Sequence, residues 1–303
     1  MEFRQISYFV AVIETGSISA ASRRVHVAQP ALTRQIRLLE EDLGTRLLVR
    51  HARGVQPTVA GRALFEEAVQ LLDTRTRIRS RLSALGKGLI GRVSLGVTVT
   101  HLWVPEVATL LRRYRDRYPQ VGFEVFPLLS GPQLERLREG QLDVGILYLD
   151  SAEQPGLVTR SLQHDHLMLA VPEASRWADA PPSRLAELAE ADFVWGFRSV
   201  SPVYYDRVMA HFARLQFEPR VVQYGADNIT ILSMVAAGLG LAIVPAASRW
   251  HPMPGVRYLL LDELTRCDMP LWMAWRESND SPALANLVDL VGSCFDAPGA
   301  SGI

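Results

Sequence analysis

Residues Ser17 to Arg50, SISAASRRVHVAQPALTRQIRLLEEDLGTRLLVR, leave few folds open. Ser17 is a good N-cap for a helix through Val25, because its hydroxyl can accept one of the amide protons a helix start leaves unpaired. His26 to Ala28 is long enough only for a turn. Pro30 then suits the first helical position, where a missing N–H costs nothing. Beyond it Leu32, Ile36 and Leu39 recur at helical spacing as a buried stripe, and Pro30, Thr33, Arg34, Arg37 and Glu41 fall on the opposite side. This is a helix-turn-helix pattern whose second helix shows its first turns to the outside. In the DNA major groove such a helix offers its N-terminal side chains to base edges. Arg34 has the fork for guanine O6 and N7, and Gln29 the amide for adenine N6 and N7. The pattern alone also fits a plain packing unit with a solvated face.

Charge separates the two readings. The chain of 303 residues has no net charge, yet Met1 to Gly88 holds 14 Lys and Arg against 8 Asp and Glu, and the remainder 18 against 24. A basic N-terminal piece on an acidic remainder points to a nucleic-acid contact at one end. Lys87 is the sole lysine, which reads as coding bias.

Before the helix-turn-helix, residues 2–14 form an amphipathic helix with Phe3, Ile6, Phe9, Val10 and Ile13 as its apolar face. After Gly44 a short strand over Thr45–Val49, a basic turn with Gly54, and a return through Gln56–Thr58 make a hairpin. Thr58 caps a long helix to about Leu85, striped by Ala60, Leu64, Ala68, Leu71, Ile78, Leu82 and Leu85 and interrupted by Arg75. A stripe that long needs a covering partner. Gly86 to Gly91 marks a boundary. From Arg92 onward strands and helices alternate, with a helix over Leu102–Arg117 among them, which predicts a mostly parallel sheet covered by helices.

The run Phe3-x4-Tyr8-Phe9-x4-Glu14-x-Gly16-Ser17-x2-Ala20-Ala21, followed by Gln29-Pro30-Ala31-Leu32-Thr33-x-Gln35-Ile36-x2-Leu39-Glu40-x2-Leu43-Gly44-x2-Leu47-x2-Arg50, resembles the LysR-type transcriptional regulators. The likeness spans the chain and is most specific in the first 60 residues. Ala28 departs from the Ser or Thr common before Gln-Pro, which removes a side-chain cap worth about 1 kcal/mol. The resemblance implies an α/β protein: an N-terminal winged helix-turn-helix (1–58), a long linker and dimerisation helix (59–88), and a two-lobed, periplasmic-binding-protein-like effector domain (92–303), with lobe I at 92–162 and 267–303 and lobe II at 163–266. It implies double-stranded DNA as partner, an interrupted inverted repeat bound by a dimer joined through 59–88, tetramers as is usual in the family, and RNA polymerase as a further partner. The DNA-binding residues expected are Gln29, Pro30, Thr33, Arg34, Arg37, Arg50 and Arg53, the last two on the hairpin wing against phosphates or the minor groove.

Open α/β lobes bind ligands at the carboxyl ends of strands, where helices point their N-termini. That rule selects Thr98, Thr100 and His101, then Ser130, Phe197, Arg198 and Asn228, as effector-binding residues. Hydroxyls beside helix N-terminal amides suit a small carboxylate, and Arg198 can pair with an anion bidentately. Each is equally at home as a helix cap or surface ion pair. The expected effector is a small-molecule coinducer, with no cofactor and no metal. His164-Asp165-His166 lacks the company a metal site needs, and Cys267 and Cys294 form neither a C-x-x-C pair nor a disulfide framework. Gly238-Leu-Gly240 runs from helix to strand, the wrong order for a dinucleotide fingerprint, so Gly238 reads as a helix C′ residue. No G-x-S-x-G or H-E-x-x-H occurs, so the expectation is not an enzyme. No signal peptide opens the chain, and the apolar run Met234–Ala247 is broken by Gly238, Gly240 and Pro245, which predicts a soluble, cytoplasmic protein with no membrane contact. A solute-binding protein and a cytosolic enzyme with a fused DNA-like head are the rival classes; the missing export signal and the basic head argue against the first, and only an unassigned Ser/His/Asp set could support the second.

Overall fold

A computed structural model describes residues 1–51 and 54–295, in two compact units, Met1–Ala84 and Leu85–Ile303. In the first unit, helices α1 (Phe3–Thr15), α2 (Ile18–Arg24) and α3 (Gln29–Leu43) precede a hairpin of β1 (Leu48–His51) and β2 (Gly54–Pro57). The long helix α4 (Val59–Gly86) follows, and most of it groups with the head. Leu32, Ile36 and Leu39 bury the inner side of α3 against Phe9, Val12, Ala21 and Leu47. Each such side chain contributes about 1.5–3 kcal/mol on burial. The apolar face of α1 divides: Phe9 and Val12 serve that core, while Ile6 and Val10 pack with Ala68, Phe65 and Leu72 of α4. Phe3 is no core residue. It stays exposed, with the Arg75 guanidinium over its ring at 5.3 Å.

Ser17 accepts from the Ala20 amide and caps α2. Ala28 stands at the N-cap of α3 with no side-chain bond, and Pro30 is the second helical residue rather than the first. The hairpin is tied at both strands. Glu40 of α3 accepts from the amides of Leu47 (2.8 Å) and Leu48 (3.1 Å), and the Val55 amide donates to Gly16 O at 2.9 Å. A Cβ on Gly54, which has φ 130°, would lie 2.5 Å from Gly16 O, so only glycine allows that approach. Thr58 caps α4 through the Gly61 amide, and its own amide donates to Leu47 O.

The second unit opens with β3 (Ile90–Val97). The expected helix over 102–117 is two helices, α5 (Val99–Leu102) and α6 (Pro105–Arg117), because Pro105 has no amide to give and drives Val104 into extended backbone. Then come β4 (Gln120–Pro127), α7 (Ser130–Glu139), β5 (Val144–Tyr148), β6 (Leu157–Asp165) and β7 (Leu167–Pro172). They are followed by α8 (Arg176–Asp179), β8 (Asp192–Gly196), α9 (Pro202–Arg214), β9 (Arg220–Gly225) and α10 (Asn228–Ala236). The chain ends in β10 (Ala242–Pro245), β11 (Val256–Leu259), α11 (Asp262–Thr265), β12 (Met269–Arg276) and α12 (Pro282–Phe295).

Lobe I is a five-stranded sheet in the order β4-β3-β5-β12-β6. It is mixed rather than mostly parallel: β3 runs parallel to β4 and β5, but β12 is antiparallel to β5 and β6. The reason is topological, since β12 re-enters after the chain has built the other lobe. Lobe II holds β10-β7-β11, all antiparallel, and the parallel pair β8-β9, joined by a bridge from Phe193 to Leu241. Only His166 separates β6 from β7, so one nearly continuous strand carries the chain between lobes. The amides of Gly238 and Leu239 return to Val235 O and Met234 O and close α10, the C′ geometry expected of Gly238.

A Cβ on Gly61 would lie 2.0 Å from Leu47 O, so α4 starts against the backbone that enters the wing. Gly61→Ala should therefore force a backbone shift costing about 1–3 kcal/mol. Amide exchange over residues 47–61 of the full chain, read by mass spectrometry, should accelerate about tenfold, with residues 92–295 unchanged. Equal protection in both chains would show that α4 can slide away without strain.

Candidate nucleic-acid interface and ligand cleft

Because Leu32, Ile36 and Leu39 fix the roll of α3, Gln29, Pro30, Arg34 and Arg37 are exposed along its outer side. Thr33 is half-buried and donates its hydroxyl proton to Gln29 O at 2.9 Å, which leaves it an acceptor toward a ligand. A groove between α3 and β1 collects Arg37, Arg46 and Arg50 beside Thr33 and Thr45. Among the described residues, Arg34, Arg37 and Arg50 enter no ion pair. Arg53 lies outside the described residues. The sequence reading missed Arg46, exposed on this groove; its signal was a basic residue within the expected strand Thr45–Val49. Glu40, on the same helix as Arg34 and Arg37, holds the wing by two amides and so fixes Arg50 relative to them.

The second site is a cleft of about 680 Å³, open mouth included, between the two lobes. Thr98, Thr100, His101 and Ser130 come to it from lobe I, and Phe197 and Asn228 from lobe II. Helices α7, α9 and α10 all start on it, at Ser130, Pro202 and Asn228. The Asn228 amide donates to Thr100 Oγ1 at 3.0 Å and ties the lobes across the cleft. Ser130 Oγ accepts from the Tyr148 amide at 3.1 Å. Phe197 stands at the rim, its ring stacked on Tyr224 at 5.4 Å.

Arg198 is a correction. It does not line the cleft; its Nε and Nη2 each donate at 2.7 Å to Asp206, in the first turns of α9. The bidentate anion it was expected to meet is supplied by its own chain. The sequence reading also missed Tyr148 and Trp195, which line the cleft at the ends of β5 and β8. The strand-end rule that selected Thr98 and Ser130 applies to them equally.

Thr98 Oγ1 accepts from the His101 amide and shares a 2.9 Å hydrogen bond with His101 Nδ1. The imidazole is 1% exposed, meets the Tyr148 ring edge-on at 4.8 Å, and its Nε2 is buried without a partner. Burial pushes its pKa down from 6.5 to about 3, so it is neutral at physiological pH. Tyr148 in turn donates to Asp165 Oδ2 at 3.1 Å, at the end of β6 where the chain changes lobe. Burial raises the Asp165 carboxyl above its usual range, against the pull of the His166 and Ala247 amides and the Tyr148 hydroxyl that bond it. His164 pairs with Asp268 at 2.6 Å, and no group of three metal-ligating side chains occurs among the described residues. Cys267 and Cys294 are buried, and burial pushes the Cys267 thiol up to about 11. No helix among the described residues is long and apolar enough to cross a membrane.

The buried His101 has a consequence for acid stability. Below about pH 6.5 the unfolded chain takes up a proton that the folded chain refuses until about pH 3, so stability falls as pH drops through that window. The slope from this residue is about 1.4 kcal/mol per pH unit. All six tryptophans follow residue 102, so their fluorescence reports unfolding of the second unit alone. In urea titrations, wild type should lose about 2 kcal/mol more than His101→Gln between pH 7 and pH 5. Equal losses would mean that the folded imidazole protonates freely.

Residues 3–62 match the family described as bacterial regulatory helix-turn-helix protein, lysR family, and residues 86–294 match the LysR substrate binding domain. The chain is 32% identical to the HTH-type transcriptional regulator TcbR of Pseudomonas sp. (strain P51), over 96% of this chain and 98% of that protein. Its fold is similar to the crystal structure of CbnR, a LysR family transcriptional regulator, with TM-score 0.81 and 31% identity over 96% of this chain and 100% of that one. Full-length CbnR complexed with its target DNA matches with TM-score 0.80 and 30% identity, over 97% and 99% of the two chains. The relatives are regulators rather than enzymes, their two parts are the two units found here, and the chain belongs to the LysR family of DNA-binding transcriptional regulators, with a helix-turn-helix head and an effector-binding domain.

Proposed function

We propose that a dimer of this chain, joined through α4, sets two α3 helices on an interrupted inverted repeat near a promoter, and that a small anionic effector in the cleft alters the spacing of the heads. The observation that carries the DNA reading is the exposed row of Gln29, Arg34 and Arg37 over a fully buried opposite stripe. Arg34 and Gln29 read base edges, and Arg50 and Arg46 lie along phosphates. The dimer reading rests on α4, where Leu71, Ile78, Leu82 and Leu85 are 38–63% exposed within one helix. A second copy of the stripe covers them. Self-association to a tetramer and contact with RNA polymerase extend the same reading. The effector acts by binding one lobe arrangement better than another, which shifts populations in proportion to that difference.

Selection of binding sites from random duplex DNA at physiological salt tests the reading, and an inverted repeat with fixed half-site spacing is expected. Arg34→Ala should cost about 1–3 kcal/mol and relax preference at one base pair per half-site, whereas Arg50→Ala should weaken all sequences alike. An unchanged motif in Arg34→Ala would remove Arg34 from base reading. Leu82→Glu should weaken self-association at least tenfold in sedimentation equilibrium; an unaltered oligomer would place the interface elsewhere.

A further inference from the structure

We propose that Glu40 is a positioning residue for DNA binding whose oxygen sets the wing while its charge opposes the phosphates, so that removing the charge and removing the oxygen change affinity in opposite directions. This rests on the reading of Arg46 and Arg50 as phosphate contacts. A carboxylate is out of place on this surface. The groove between α3 and β1 is lined by Arg37, Arg46 and Arg50, and Glu40 among them faces the same polyanion that they attract. Nor does it neutralise them. Arg37 lies three residues back on α3, near enough for an ion pair, and among the described residues it forms none.

The side chain is committed to the wing instead. A single oxygen, Oε1, accepts from the amides of Leu47 at 2.8 Å and Leu48 at 3.1 Å. Leu47 is 1% exposed, so water cannot replace that oxygen at its amide, and without it the strand must move to find another acceptor. The other polar ties of the hairpin act elsewhere. Thr58 donates its amide to Leu47 O and its hydroxyl to Arg46 O, and the Val55 amide donates to Gly16 O. The Glu40 oxygen is the one that joins the start of β1 to α3. Because both amides meet one oxygen, an uncharged amide oxygen of the same reach can hold them, and the geometry does not need the negative charge. Glu41 supplies the comparison. It lines the same groove with the same charge, is exposed, and among the described residues its side chain takes no wing amide. Removing its charge acts on phosphate attraction alone.

The test is fluorescence anisotropy of the full-length protein with the duplex pool that selection on the wild type enriches, over a potassium chloride series. Glu41→Gln and Glu41→Ala should both bind about threefold more tightly. Glu40→Gln should do the same with an unchanged salt slope, whereas Glu40→Ala should bind about tenfold more weakly with a slope reduced by about 1 per head. Glu40→Asp keeps the charge and loses the reach, and should be the weakest of the set. Arg50→Ala should have its full effect in the Glu40→Gln chain and less than about a twofold effect in the Glu40→Ala chain, since the wing is already displaced there. Glu40→Gln as weak as Glu40→Ala would show that the charge holds the wing. Glu40→Ala as tight as Glu41→Ala would show that the wing keeps its place without the oxygen. Either result overturns the inference while Arg50→Ala alone still weakens binding, and Glu40→Asp as tight as Glu40→Gln overturns it even if the alanine variant fails to fold. Arg50→Ala without effect on affinity or slope would overturn the phosphate reading together with the inference.

Discussion

The burial of three side chains on one side of α3 governs what the head can do. Leu32, Ile36 and Leu39 fix the helix about its own axis, and a rotation that exposed any of them would cost more than any one surface contact could return. With the roll fixed, the direction of Arg34 and Arg37 is a consequence rather than a separate requirement. Glu40 extends the same control to the wing. It lies one residue beyond Leu39, and its carboxylate takes two amides at the entry to β1, so the outer side chains of α3 and Arg50 of the wing share one frame. The missing side-chain cap at Ala28 fits that frame too, since the first amides of α3 stay available at the surface where an anionic backbone would approach.

The effector domain follows a different logic. Its lobes are joined by a nearly unbroken strand path at His166 and by the return into β12, and they touch through the Thr100–Asn228 hydrogen bond. The cleft between them is lined by helix starts and hydroxyls and, among the described residues, by no lysine or arginine, and its histidine is kept neutral by burial.

Much of the head was legible because its signals are local. Ser17 as a cap, the three-residue stripe, and the hairpin between Gly44 and Thr58 all follow from neighbours in sequence. Phe3 was misplaced because periodicity cannot tell a core face from one covered by an arginine such as Arg75, far along the chain. In the effector domain the strand-end rule placed Thr98, Thr100, His101, Ser130, Phe197 and Asn228 on one cleft, since it concerns chain direction alone. It failed for Arg198, whose partner Asp206 is decided by side-chain geometry at the start of α9. The mixed direction of the first sheet was hidden for a similar reason: nothing local in Met269–Arg276 says which strand it will join.

The contact between Gly61 and Leu47 gives α4 a fixed point of departure from the wing. From that pivot the helix runs 28 residues, about 42 Å at the α-helical rise. A tilt of only about 5° at the pivot would carry its far end roughly 4 Å, about the rise of one DNA base-pair step. The helix is thus a lever with a short arm at the wing and a long arm away from it. Small angular changes at the wing become displacements of several ångströms at the far end of α4.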